Sequence, residues 1–402
     1  MSQFSPLFLY LYPQSEQAAV RLRTTAFTER IASIIQSENF EELAVSEEGE
    51  AILKDAQPYF ALIDEAQKRK NCLFVHAMDF GALLPHAQTA QDFARLTQLD
   101  VVNACKKTDF RRAERTLQRL LRLSRDLRPQ AAAIVDVVSV SLDETAVELL
   151  LSSYLGHPRL TADECDRILA ILKDHQRSAA GLLNEGIKSE YVMLVNTIEG
   201  FRGGKLKTES LGLEKLDPFI RVVDFEVERD AADKLFSEAL SATINPHQVD
   251  NVMSRLTVMI DDMKSGLEKE TKSLVGSIPL ALGFRKLRNP LICVWFAPGV
   301  NQFIKVVARD HARLNGAILL TAVRRYQLQH GKLPELLQTA AKEVGLDAVP
   351  LDPYDPEEGP MRYSIVNGKP VVYSIGPDGK DDGGMVDWNF GRQPGDILFT
   401  IP

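Results

Sequence analysis

Residues 110–127 read FRRAERTLQRLLRLSRDL, and they show the pattern that dominates this chain. The apolar positions recur at a spacing of three to four between charged residues: Phe110, Ala113, Leu117, Leu120, Leu121 and Leu127. This spacing predicts an amphipathic helix, and Asp109 stands where it can cap the first turn. Similar stretches follow one another from about residue 15 to 340. The sequence therefore predicts a mainly α protein.

Composition and charge limit the classes of protein to consider. The chain has 402 residues, of which 45% are hydrophobic and 25% charged, and its formal net charge is -8. Such fractions are typical of folded globular proteins. This mildly acidic balance argues against a general nucleic-acid-binding protein, which would need a basic face, so we expect no nucleic-acid partner. The four cysteines (Cys72, Cys105, Cys165 and Cys293) are far apart in sequence, and we expect them to be small buried hydrophobic residues.

The predicted domain organisation has two parts. Residues 1–298 form a large irregular multi-helical domain, with an internal break in the segment 200–218, which is rich in glycine and charge. Residues 299–402 form a long helix followed by a small α+β module. We expect the long helix to start after Pro298, to run to about Gln329 and to stop at Gly331.

A β-hairpin is the clearest local feature of the C-terminal part. Two β-like runs, Met361–Val366 and Pro370–Ile375, flank the dipeptide Asn367-Gly368. Asn-Gly is the dipeptide that best suits a two-residue hairpin turn, because both central residues of that turn have positive φ.

An Asp/Gly-rich loop follows the hairpin, in residues 373–387, which read YSIGPDGKDDGGMVD. It holds four aspartates (Asp378, Asp381, Asp382 and Asp387) among four glycines (Gly376, Gly379, Gly383 and Gly384). Carboxylates this close repel one another unless a cation or a spread-out loop relieves them. Oxygen ligands on a flexible loop suit calcium. The alternative is an ordinary acidic turn, in which Asp and Gly are present because both residues favour turn conformations.

Familiar catalytic patterns are missing from the sequence, which contains no GxSxG, P-loop, GxGxxG or HExxH motif. An enzyme remains an alternative, in the form of a hydrolase whose acidic loop holds a catalytic divalent ion. His330, Asp352 and Asp355 are the candidates for its catalytic groups. A protein without enzymatic activity is the favoured interpretation.

The C-terminal part resembles the major pseudopilin of type II secretion systems. The shared motifs follow in the same order: Arg325-Tyr326, Gly331-Lys-Leu-Pro334, Leu351-Asp-Pro-Tyr354, Tyr363, Tyr373-Ser-Ile-Gly-Pro-Asp-Gly379, Gly383-Gly384 and Asp387. The resemblance implies a structural calcium ion bound by the carbonyl of Ile375, the carboxylate of Asp378 and a later aspartate. Asp387 is the first candidate for that aspartate and Asp382 the second. The loop differs in length from that of the family.

The remainder of the chain departs from a pseudopilin, since some 300 mostly helical residues replace the apolar N-terminal helix of a fibre subunit. As a whole the chain resembles large proteins of planctomycete-type bacteria that combine a helical region with such a tail. Those proteins commonly carry a leader or a membrane anchor. Met1–Pro13 is apolar but is not a signal peptide as it stands, so we expect any leader or anchor to lie outside these 402 residues.

These observations favour a non-enzymatic protein of the cell envelope or periplasm. Its helical domain would be a scaffold or would bind a protein partner, and calcium would stabilise its C-terminal module. A cytoplasmic adaptor without a metal is the third alternative, beside the metal-dependent hydrolase.

Overall fold

The computed structural model of the protein describes residues 40–69, 72, 74, 85–129, 131–179, 181–211, 217–244, 249–274, 286–387 and 394–401. Within them the chain is mainly helical and ends in a small three-stranded antiparallel sheet, so the predicted fold class is confirmed. Met1–Pro13 lies outside these ranges. In the part of the chain that is described, no helix combines the length and the apolar character needed to cross a membrane.

A helical body comes first along the chain. Its helices are α1 (Phe40–Val45), α2 (Glu47–Ala66), α3 (Pro85–Lys106), α4 (Phe110–Leu127), α5 (Ala133–Leu149), α6 (Ala162–Ala179), α7 (Leu182–Arg202), α8 (Asp217–Ile220), α9 (Phe225–Ile244) and α10 (Val249–Leu274). Between α7 and α9, where the sequence predicts a break, the described residues form only the short 3₁₀ turn Thr208–Leu211 and the single turn α8.

Local sequence accounts for several helix ends. The predicted cap of α4 is confirmed, because the carboxylate of Asp109 accepts a hydrogen bond of 3.1 Å from the backbone N–H of Arg112. Ser46 caps α2 in the same way through the N–H of Gly49. Such caps satisfy amides that have no partner within the helix. Of the cysteines, Cys105, Cys165 and Cys293 are buried as expected; Cys72 is half-buried, and all four are free thiols.

The long helix, α11 (Ile292–His330), has 39 residues and begins ahead of Pro298, so the predicted start after this proline is wrong. Its first turn is capped from elsewhere in the chain. The carboxylate of Glu228, in α9, accepts hydrogen bonds from the backbone N–H groups of Leu291, Ile292 and Cys293. The helix ends at Gly331, which has a φ of 70°, as the sequence predicts.

Helix α11 connects the body to the C-terminal module. It packs against α5, α6, α9 and α10 of the body, and also against β2, β3 and the short helix α12 (Leu337–Glu343) of the module. Residues around its middle, from Ala312 to Val323, are nearly all buried. A helix covered on all sides needs no polar face, which explains its continuous apolar run. The body and the module therefore share one hydrophobic core.

The sheet has the order β1 (Arg362–Val366), β2 (Lys369–Ser374) and β3 (Ile397–Thr400), all antiparallel. The predicted hairpin is confirmed: Val366 pairs with Lys369, and the turn residues Asn367 and Gly368 have φ values of 52° and 78°. Positive φ at both positions gives the turn type that matches strand twist. Sequence analysis did not identify β3, which is only four residues long.

Candidate functional site

The Asp/Gly-rich loop follows β2 and turns sharply at its glycines. Gly376, Gly379, Gly383 and Gly384 have φ values of 71°, 66°, 71° and 73°. Side chains other than glycine rarely adopt this conformation, so the spacing of the glycines sets the path of the loop. A Cβ on Gly384 would also come within 3.0 Å of Cδ1 of Tyr373, because the loop folds back over β2.

The four predicted metal ligands occupy different positions on this loop. Ile375 is buried, and its N–H donates to Asp352 Oδ2 at 2.8 Å. Asp378 is exposed and accepts from the N–H of Lys380 at 3.3 Å. Asp382 is half-buried, and Asp387 is exposed with its backbone bridged to Asp396. Across the described ranges, no three side chains of His, Cys, Asp or Glu are grouped so that they could hold a metal ion.

Asp396, which sequence analysis missed, anchors the end of the loop. Its side chain is fully buried. Its two carboxylate oxygens accept from the N–H groups of Asp382, at 3.3 Å, and Gly384, at 2.7 Å, while its own N–H donates to the carbonyl of Val386 at 2.8 Å. Burial raises the pKa of Asp396, and the two amides oppose that shift. The only signal in the sequence was an aspartate placed directly before an apolar run.

Arg362, on β1, is a cation that contacts the loop. Its guanidinium contacts Asp381 at 2.9 Å and Asp355 at 2.8 Å, and it lies 3.5 Å from Asp352. Asp381 also accepts hydrogen bonds from the hydroxyl of Tyr373 and the N–H of Gly383. One planar guanidinium can bridge several carboxylates, so Arg362 balances part of the charge of this acidic region.

Two of the three candidate catalytic residues come together here, and the third does not. Asp352 and Asp355 are both buried and meet at Arg362. Burial raises the pKa of Asp352, although its hydrogen bond from the hydroxyl of Ser374 opposes the shift. His330 instead lies 3.0 Å from Glu343 and against the ring of Tyr326. Sequence reasoning could not foresee the contact between His330 and Glu343, because it depends on how α11 and α12 pack.

A second polar site lies deep in the helical body, and sequence analysis did not identify it. We call it the Arg128 cluster, and it consists of Ser124, Arg128, Asp136, Ser139, Asp143, His175 and Asp310. These side chains come from α4, α5, α6, α11 and the residue after α4. A signal did exist, since Asp136 and Asp143 lie seven positions apart on a helix and so share its buried face.

Arg128 is the centre of this cluster and is 1% exposed. It donates through Nε to Ser139 at 3.1 Å and through Nη2 to Ser124, Asp143 and Asp310. His175 Nε2 lies 3.0 Å from the same Asp143 oxygen. Burial opposes ionisation of Asp143, but the neighbouring His175 and Arg128 outweigh it and lower the pKa of this carboxyl.

Asp136 differs from the other acids of the Arg128 cluster, because neither of its carboxylate oxygens has a hydrogen-bond partner among the described residues. It is completely buried and lies against Gly186 of α7, where an added Cβ would come within 3.0 Å of the Asp136 carboxyl carbon. Burial raises the pKa of Asp136 well above its ordinary value, against the attraction of Arg128. An ionised carboxylate without a partner is very unfavourable here, so the neutral form is favoured.

Comparison with known proteins adds no further indication of function: family models, curated proteins and solved structures each gave no significant match to this chain.

Proposed function

We propose that this chain is a non-enzymatic protein of the cell envelope, in which a helical scaffold carries a calcium-stabilised, pseudopilin-like module. The single observation that supports this most is the shared helix α11. The module packs on the same 39-residue helix that passes through the body, so the two parts are joined without a hinge segment between them. Such a construction suits a protein that holds a module in a fixed position for a protein partner.

Two further observations support the likeness to a pseudopilin module. The order of elements is the order of the shared motifs: a helix ending at His330, a hairpin over Arg362–Ser374 and then the Asp/Gly-rich loop. The loop also carries several carboxylate oxygens, and oxygen is the kind of ligand that calcium prefers. Asp381 forms an ion pair with Arg362. Asp396 accepts hydrogen bonds from backbone amides. The proposal assigns the other loop carboxylates, those of Asp378, Asp382 and Asp387, to the ion together with the carbonyl of Ile375.

The role of the ion in this proposal is structural. Bound calcium would offset the repulsion between the loop carboxylates and would stabilise the folded module by mass action. A site with a Kd of about 10⁻⁴ M, in about 10 mM calcium, would gain about 2.7 kcal/mol of unfolding free energy. Calcium sites of this affinity are typical of extracellular proteins, which are exposed to millimolar calcium. The proposal therefore includes a location in the envelope or periplasm.

Thermal unfolding of the full chain in EDTA, in calcium and in magnesium tests the proposal. We expect calcium alone to raise the Tm and Asp378→Ala to abolish that rise. Asp347→Ala is the matched control, because Asp347 is an exposed aspartate of the same module outside the loop. It should retain the full calcium response.

Two results would contradict the proposal. If calcium leaves the Tm unchanged, the loop is an acidic turn and the calcium site does not exist. If magnesium raises the Tm as much as calcium, the loop holds a divalent ion without selectivity, which favours the metal-dependent hydrolase over the structural role.

A further inference from the structure

The Arg128 cluster connects helix α11 to the centre of the helical body. Asp310 is the contribution of α11, and it reaches Arg128 at 3.3 Å. Arg128 in turn contacts Asp143 and Ser139 of α5, and Asp143 contacts His175 of α6. These contacts join α5, α6 and α11 inside the core. All of these residues precede the Asp/Gly-rich loop in the sequence.

Acidic groups outnumber basic ones at this position. The titratable and charged groups that face Asp310 or Asp136 are Arg128, Asp143, Glu144, His175, Glu190 and Arg313. Glu144 forms ion pairs with Arg309 and Arg313, and Glu190 accepts from the backbone N–H of Ala133 at 2.7 Å. Arg128 is therefore the guanidinium that Asp143 and Asp310 share. Its Nη2 atom donates to both.

We propose that the Arg128 cluster is a proton-operated latch that holds α11 against α5 and α6. When Asp310 carries a proton, Arg128 faces one full negative charge, that of Asp143, and the helices stay closely packed. When Asp310 loses its proton, two buried carboxylates share the guanidinium of Arg128, while His175 contacts Asp143, and α11 loosens from the body. Asp136, whose oxygens have no hydrogen-bond partner in the part of the chain that the structure describes, is a second carboxyl that this environment keeps protonated.

The electrostatics agree with this geometry. Burial, and then the charge of Asp143, raises the pKa of Asp310 from 3.8 to about 7, although Arg128 and His175 act in the opposite direction. A carboxyl with a raised pKa in the folded state stabilises the fold fully below its unfolded pKa. That stabilisation is lost as the pH rises through the folded pKa. The stabilisation by the protonated carboxyl of Asp310 is thus lost over the range from about pH 4 to about pH 7, and the upper end of this range is near neutrality.

Unfolding of the full chain in urea at pH 6.0 and pH 8.5 tests the latch. From Asp310 alone we expect the unfolding equilibrium constant to rise about tenfold between these two pH values. Asp310→Asn should remove about that tenfold rise, because the amide carries no charge at either pH. Asp100→Asn is the control: Asp100 is a buried acid of the same body whose oxygens are bonded by Arg112 and Thr116. This control should lower stability at both pH values and keep the full rise.

Hydrogen exchange of the unmodified protein gives a second measurement that requires no variant. After correction for the intrinsic pH dependence of exchange, amides of α11 near Asp310 should lose protection at pH 8.5. Amides of α3, which does not contribute to the Arg128 cluster, should keep theirs. If Asp310→Asn retains the whole pH dependence, or if the protection of α11 is equal at both pH values, the latch does not exist.

Discussion

Phe399 of β3 lies directly over Gly316 of α11: a Cβ built on Gly316 would come within 2.6 Å of Cγ in the phenyl ring. Gly316 and Phe399 are both buried. The missing side chain lets the sheet approach the helix backbone closely, which explains a glycine in the middle of a long helix where glycine is otherwise unfavourable. This contact is where the C-terminal module docks onto the helix it shares with the body.

Replacing Gly316 by alanine should therefore destabilise the protein. The new methyl group would overlap the ring of Phe399, and overpacking of this kind costs about 1–3 kcal/mol. Gly299→Ala in the same helix is the control, since a Cβ there meets no other element of the described residues within 4 Å. It should be neutral or raise stability by up to about 1 kcal/mol, because alanine has the higher helix propensity. Urea unfolding measures both variants, and equal effects would show that the Phe399 contact is unimportant.

Glu228 should be essential to the start of α11. Its buried carboxylate accepts hydrogen bonds from three backbone amides at the first turn of that helix. Glu228→Ala would leave these buried donors without a partner, so we expect a loss of about 2–3 kcal/mol in the free energy of unfolding. Glu226→Ala, which removes a 74% exposed acid from the same helix, should cost less than about 1 kcal/mol. A comparable loss in both variants would contradict the capping role.

Asp396 should hold the Asp/Gly-rich loop in place. Asp396→Asn would turn one of its two acceptor oxygens into an N–H donor that faces a backbone N–H. We expect a local loss of about 1–3 kcal/mol, seen as faster hydrogen exchange at Asp382 and Gly384. Asp378→Asn, at an exposed position of the loop, should change stability by less than about 0.5 kcal/mol in EDTA. Unchanged exchange in Asp396→Asn would mean that the glycines alone shape the loop.

Asp136→Asn should stabilise the protein at high pH. The pKa of Asp136 is raised by burial, so its contribution to stability is full below the pKa of an unfolded aspartate and is lost as the pH rises through the folded pKa. The amide avoids this loss, and we expect a gain of about 1–3 kcal/mol at pH 8.5 that shrinks toward pH 5. Urea unfolding at several pH values measures the gain.

Asp143→Asn provides the contrast, because Asp143 lies on the same helix and has charged partners. Removing one member of a buried ion pair leaves Arg128 without its main counter-ion and should cost roughly 3–5 kcal/mol.

One result would contradict the prediction for Asp136. If Asp136→Asn destabilised the protein equally at all pH values, the carboxyl of Asp136 would have a stabilising partner that the structure does not show.

The short-range features of this fold follow from the sequence alone. Apolar spacing predicts α4, Asp109 predicts its cap, Asn367-Gly368 predicts the hairpin and Gly331 predicts the end of α11. Each of these depends on residues a few positions apart, whose geometry is set by backbone sterics and local hydrogen bonds. The calcium site and the likeness to a pseudopilin remain predictions, and thermal unfolding in calcium and in EDTA tests the first of them.

The long-range features required the tertiary structure. Helix α11 starts ahead of Pro298 because Glu228, more than sixty residues earlier, supplies its cap. Arg128 meets Asp310 across 182 positions of sequence, and Asp396 reaches back to Gly384 across 12 positions. Such pairings depend on which helix faces pack together, and burial then decides which charges keep their protons. Local patterns encode neither, since both arise only when distant segments share one low-dielectric core.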